Sequence, residues 1–200
     1  MKIGIYAGTF DPIHDGHIGF ALESIKSGSL DKVIIVAEKE PYRKKPEAAW
    51  DHRQAMIERA TQSTLHVDHD YNFANQLAHK HTMRDMMTVA KQHYGEDNQY
   101  WFLVGSDIFE HFHQWDDVLS DDEYGGFIVA LRDDHTSDWL DQKIALLNKK
   151  APKSSVKILD SSHPRISSSI IRQKIRDHQS VGNIPSQVLE YAQEHSLYTT

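Results

Sequence analysis

Short apolar runs, each ending in a polar turn and followed by a helical stretch, constrain this chain more than any other feature. Val33 to Ala37 is the clearest, a β-branched run apolar on both faces and far too short to span a bilayer. Lys2 to Ala7, Tyr100 to Val104 and Phe127 to Leu131 read the same way, with shorter strands expected at Thr64 to Asp68 and Val156 to Leu159. The intervening spacing predicts helices over Gly16 to Lys26, Asp51 to Gln62, Asn75 to His93 and Trp139 to Lys149. Two closing helices are expected over Ser168 to Asp177 and Ser186 to His195. Strands that alternate with helices imply an α/β fold, a Rossmann-like doubly wound parallel sheet with helices on both faces. No internal repeat or linker divides the chain, so residues 1–200 are expected to form a single domain; Asp116 to Glu123 and Lys149 to Ser155 read as surface connections.

In open sheets of this class ligands gather beyond the carboxyl ends of the strands, which gives weight to the residues just after each one. The kind of ligand is narrowed by charge. A formal net charge of -7 argues against non-specific binding to nucleic acid, which needs a basic footprint. Small anions remain open to such a protein where backbone amides and a few cations concentrate. The chain has no cysteine, so disulfides and thiolate metal sites are excluded. The strand-like start just after Met1 leaves no secretory segment, and a cytoplasmic location without membrane association is expected.

Two segments carry the chemistry. Directly after the first strand comes Gly8-Thr9-Phe10-Asp11-Pro12-Ile13-His14-Asp15-Gly16-His17. Gly8 permits close backbone approach, Thr9 offers a hydroxyl and an amide, and His14 and His17 share a face if a helix begins there. Free N–H groups at such a helix start suit a phosphate. The same residues are also compatible with an ordinary turn carrying two solvated histidines. A metal site there lacks an obvious third ligand, and no protein metal site is expected. Near the other end, Arg165-Ile166-Ser167-Ser168-Ser169-Ile170-Ile171-Arg172 opens a helix. Its serines either simply cap the helix or, with the Arg172 fork, hold phosphate oxygens.

Taken together, these two segments resemble the nucleotidyltransferase superfamily with paired-histidine and Ser/Thr-rich signatures, and within it the bacterial nicotinate mononucleotide adenylyltransferase family. The turn Leu103-Val104-Gly105-Ser106-Asp107, with Trp115 beyond it, and Leu197-Tyr198 near the end are similar to that family as well. The likeness implies an enzyme that joins ATP to nicotinate mononucleotide, giving nicotinate adenine dinucleotide and pyrophosphate in NAD biosynthesis. His14, His17 and Arg172 would act on the reacting phosphates. Gly8, Thr9, Phe10, Ser167, Ser168, Gly105 and Asp107 would bind ATP. Arg43, Lys44, Thr82 and Trp115 would bind the acceptor, with Trp115 stacked on the pyridine ring.

Magnesium would accompany ATP, held largely by substrate oxygens and water. The partners are then small molecules, ATP and a pyridine mononucleotide, and a homo-oligomer is compatible with the sequence. Three positions depart from the family pattern: Ala7 stands for a first glycine, Pro41-Tyr42-Arg43-Lys44 replaces Pro-Pro-His-Lys, and His81 precedes Thr82 in place of tyrosine. Other readings remain. The acceptor could be phosphopantetheine or a polyol phosphate, the chain could sense nucleotides without turnover, Arg43 to Lys45 could be a solvated loop, and Trp115 could be a core residue. A dinucleotide-binding oxidoreductase is disfavoured, because no Gly-x-Gly-x-x-Gly follows the first strand. The pairs His79/His81 and His111/His113 read as surface histidines.

Overall fold

The computed structural model describes residues 1–28, 30–42, 44–77, 82–111, 124–131, 137–150, 155–160 and 166–199. Six strands form one sheet: β1 (Lys2–Gly8), β2 (Lys32–Ala37), β3 (Val67–His69), β4 (Gln99–Gly105), β5 (Tyr124–Leu131) and β6 (Ser155–Asp160). Their order is β3-β2-β1-β4-β5-β6, with every neighbouring pair parallel. The helices among the described residues are α1 (Asp15–Gly28), α2 (Trp50–Thr61), α3 (Tyr71–Gln76), α4 (Met83–Tyr94), α5 (Ser106–Phe109), α6 (Ser137–Lys150), α7 (Ser168–Arg176) and α8 (Ser186–Glu194).

The apolar runs explain the layers. Along β1 and β4, alternate side chains enter opposite cores, as the period of a strand requires. Tyr6 and Leu103 join Phe20, Met56, Ile171 and Val188 beneath α1, α2, α7 and α8. Ile5 and Phe102 join Phe73, Met86 and Leu140 beneath α3, α4 and α6. Burial on both faces is the reason these strands lack a polar side.

Three expectations need correction. The helix expected over Asn75 to His93 is two helices: α3 ends at Leu77, whose backbone is extended, and α4 starts afresh at Thr82. Thr82 forms a capping box with Asp85, a reciprocal pair of side-chain to backbone bonds that starts a helix at that residue. The strand expected over Thr64 to Asp68 is only Val67–His69, because Thr64 donates its backbone N–H to the Thr61 carbonyl and stays in the turn that ends α2. The short α5 has no counterpart among the expected elements. Arg43, His79, His81, His113, Trp115 and the connection Asp116 to Glu123 lie outside the described residues.

Among the described residues, no helix is long and apolar enough to cross a membrane.

Candidate active site

The sheet reverses its winding between β1 and β4, where ligands of doubly wound folds lodge. The ladder between these strands ends at Ile5 and Phe102. Each continues for three more residues beside its outer neighbour, β1 to Gly8 against Ala37 and β4 to Gly105 against Ala130. The two strands therefore part at their carboxyl ends, with the first motif at one lip and the Gly105–Asp107 turn at the other.

At the first lip, the chain turns sharply after Gly8. Phe10 has a positive φ of 46° and its ring is buried, edge-on to Tyr6 at 5.2 Å and to His17 at 5.0 Å between centroids. A Cβ on Gly8 would sit 3.1 Å from that ring, so this glycine makes room for Phe10. The Phe10 side chain is a support beneath the histidines, so only its backbone is left to face a ligand. Gly16 has a similar duty, since a Cβ there would come within 3.2 Å of the His14 ring.

His14 is buried and stacks on His17 with centroids 3.6 Å apart. The His14 backbone N–H donates to His17 Nδ1 at 3.3 Å. An Nδ1 that accepts places the proton of the neutral His17 ring on Nε2. The α1 start is partly spoken for, since Asp15 donates its N–H to the Asn183 carbonyl and His17 donates its own to the His14 carbonyl. The Gly16 N–H has no acceptor among the described residues.

The second motif docks on this turn. Ser168 Oγ donates to the Pro12 carbonyl at 3.0 Å, and Arg172 Nη1 donates to the Asp11 carbonyl at 2.8 Å. Ser167 caps α7 by position, yet its hydroxyl bonds to that of Ser169 and makes no capping bond. The Ser168, Ser169 and Ile170 N–H groups find no acceptor among the described residues. Ile171 and Ile175, four apart, are buried and fix the rotation of α7 about its axis. Two stretches more than 150 residues apart in sequence thus meet, and histidine edges, serine amides and a guanidinium share one end of the sheet.

A buried polar network, absent from the sequence reading, joins them. Asp11 is buried, and its carboxylate accepts from the Glu47 N–H at 2.7 Å, the Ala48 N–H at 3.1 Å and the Tyr198 hydroxyl at 2.7 Å. Burial first, and then the Asp11 charge, push the Tyr198 hydroxyl far up, so it stays protonated and donates. Arg53 is wholly buried and spends its fork on three carbonyls, those of Ala48, Thr9 and Lys39. Burial lowers the Arg53 pKa, and the Asp11 charge acts against that. Glu47 receives Arg172 Nε and Arg176 Nη1, each at 2.7 Å. Burial alone would raise the Glu47 carboxyl, but these two arginines outweigh it and hold it below the ordinary glutamate value.

The remaining expected residues are placed less closely. Gly105 ends β4 and precedes α5, with Asp107 in the first turn of that helix. Lys44 is exposed, three residues and hence at most roughly 10 Å of chain before Glu47, which holds the arginine pair. Thr82 caps α4, and its hydroxyl is engaged with Asp85 at 2.9 Å and 3.2 Å. No hydrogen bond joins it to the histidine turn. Signals for the network were present: Asp11 stands inside the first motif, and Arg53 falls on the apolar side of α2 beside Met56 and Ile57.

A family model described as cytidylyltransferase-like matches residues 5–174. The chain belongs to that family. A protein of Neisseria meningitidis serogroup C named "Probable nicotinate-nucleotide adenylyltransferase" is 30% identical over 98% of both chains. One of the same name from Lachnoclostridium phytofermentans is 28% identical, again over 98% of each. Among solved structures, Plasmodium falciparum nicotinic acid mononucleotide adenylyltransferase complexed with NaAD has the same fold, with a TM-score of 0.75. It is 19% identical and is matched over 98% of this chain and 97% of its own.

Proposed function

We infer that this protein is a nicotinate-nucleotide adenylyltransferase, which joins ATP and nicotinate mononucleotide to give nicotinate adenine dinucleotide and pyrophosphate in NAD biosynthesis. The reading is carried by relatives of that name matched from end to end, on a chain whose two phosphate-type motifs meet at the sheet's switch point. In this reaction a phosphate oxygen of the mononucleotide attacks the α-phosphorus of ATP. The bond from that phosphorus to the oxygen bridging it to the β-phosphorus breaks, and its electron pair leaves with pyrophosphate. No covalent enzyme intermediate is needed, so positioning and charge stabilisation are the tasks left to the protein.

The side chains suit those tasks. In this proposal His17 Nε2–H donates to an α-phosphate oxygen, with His14 stacked behind it to fix the ring. The α7 N–H groups that have no acceptor among the described residues, with the Arg172 fork, take the β- and γ-phosphates. Thr9, Gly105 and Asp107 line the parted strands, and Lys44 and its neighbours meet the acceptor phosphate. Magnesium would accompany ATP, held largely by phosphate and water oxygens and neutralising phosphate charge; Asp11, whose carboxylate already accepts from two amides and a phenol, would serve the fold of the turn. Residues 1–200 act as one domain, since Tyr198 reaches back to Asp11 in the first turn. We place the enzyme in the cytoplasm, where ATP and free mononucleotides are at hand.

Pyrophosphate release from ATP with nicotinate mononucleotide, nicotinamide mononucleotide or phosphopantetheine as acceptor tests this. The greatest kcat/KM is expected with nicotinate mononucleotide. A preference for phosphopantetheine, or no release with any of them, would refute it.

A further inference from the structure

We propose that Glu47 is the positioning residue of the site: it sets the angle of the Arg172 guanidinium and ties the loop between β2 and α2 to it. The inference rests on the reading that Arg172 meets the phosphates of ATP.

Arg172 is held at two points of its plane, by Glu47 Oε1 on Nε and by the Asp11 carbonyl on Nη1. A planar fork fixed at two donors has one remaining direction, and its Nη2 edge is the part left to a ligand. Glu47 is itself immobilised. Its second oxygen takes Arg176, and its backbone N–H binds Asp11, whose carbonyl also receives Arg172. Backbone and side chain of Glu47 therefore lock onto the same two partners, the phosphate turn and α7. Charge-assisted bonds of 2.7 Å to both carboxylate oxygens leave Glu47 little freedom.

Glu47 also lies three residues past Lys44, in the loop expected to meet the acceptor. Movement of that loop is thereby coupled to the orientation of the ATP-binding arginine. The rival view, with Glu47 merely occupying the place of a phosphate, makes the opposite prediction: its removal would free Arg172 and tighten ATP binding.

The test compares wild type, Glu47→Gln, Arg172→Lys and the double variant in kcat and KM for ATP with nicotinate mononucleotide, alongside ATP titration calorimetry. Misaiming one group costs up to about a hundredfold, so a loss of about tenfold in kcat/KM for ATP is expected for Glu47→Gln. If Glu47 acts through Arg172, the double variant is no worse than Arg172→Lys. Unchanged or tighter ATP use by Glu47→Gln, or losses that multiply in the double variant, would overturn the proposal. Should Glu47→Gln not fold, Glu47→Asp keeps the charge on a shorter arm; a smaller loss is then expected, and wild-type kinetics would overturn the proposal. Wild-type protein that released no pyrophosphate would defeat the functional reading itself. Weaker calorimetric ATP binding by Glu47→Gln would still support the positioning role.

Discussion

Among the described residues two helices have a hydroxyl residue at the N-cap, Thr82 before α4 and Ser167 before α7, and they use it in opposite ways. At α4, Thr82 and Asp85 satisfy each other's backbone N–H groups in a capping box. At α7, Ser167 forgoes the capping bond, Ser168 turns its hydroxyl to the Pro12 carbonyl, and the first amides have no acceptor among the described residues. A capped start adds about 1 kcal/mol of stability, so an uncapped one beside paired histidines and an arginine forgoes that gain and keeps donors for an anion. The lesson is that a Ser/Thr helix start reads as a binding site only where its own cap is missing. By that measure α7 is a candidate and α4 is a fold element.

The contrast is broken or sharpened by four substitutions, in falling order of effect. Arg172→Ala removes the cation beside the open end, and turnover measured as pyrophosphate release should drop about a hundredfold or more. Ser168→Ala removes one neutral hydrogen bond and should change kcat/KM for ATP by about tenfold or less. Thr82→Ala should cost about 1 kcal/mol, seen as a melting temperature lowered by about 2–4 °C, with KM for ATP unaltered. An unchanged melting temperature with a raised KM for the mononucleotide would return Thr82 to the acceptor site.

The fourth concerns pH. The Glu47 carboxyl lies below its ordinary value of 4.5, so its stabilising effect is present above that value and fades as the pH falls through the lower folded value. Thermal unfolding followed between neutral and acidic pH should show a smaller acid loss in Glu47→Gln than in wild type.

How much of this was legible in the sequence follows the same division. The buried strands announced themselves because a strand covered on both faces has no polar register to confuse, and Lys2–Gly8 and Lys32–Ala37 match their expected runs within a residue. The break between α3 and α4 was missed because Asn75 to His93 scans as one amphipathic stretch, while the stop at Leu77 and the box at Thr82 to Asp85 are local polar signals. The motifs named His14, His17, Ser168 and Arg172, since phosphate chemistry selects few residue types. Asp11 inside the first motif and Arg53 on the apolar side of α2 could be marked from the sequence, but not their partners: Glu47, Ala48 and Tyr198 for Asp11, and the Thr9 carbonyl for the wholly buried Arg53. Those roles depend on which distant loops meet, and no local pattern encodes that.

The most direct measurement is a double-mutant cycle on kcat for pyrophosphate release, using His17→Ala, Arg172→Ala and both together with ATP and nicotinate mononucleotide. If the two ends of the chain act as a unit on one triphosphate, each single variant loses about a hundredfold and the pair loses far less than the product. Near-normal turnover in either folded single variant, or losses that simply multiply, would show that these side chains do not share a substrate.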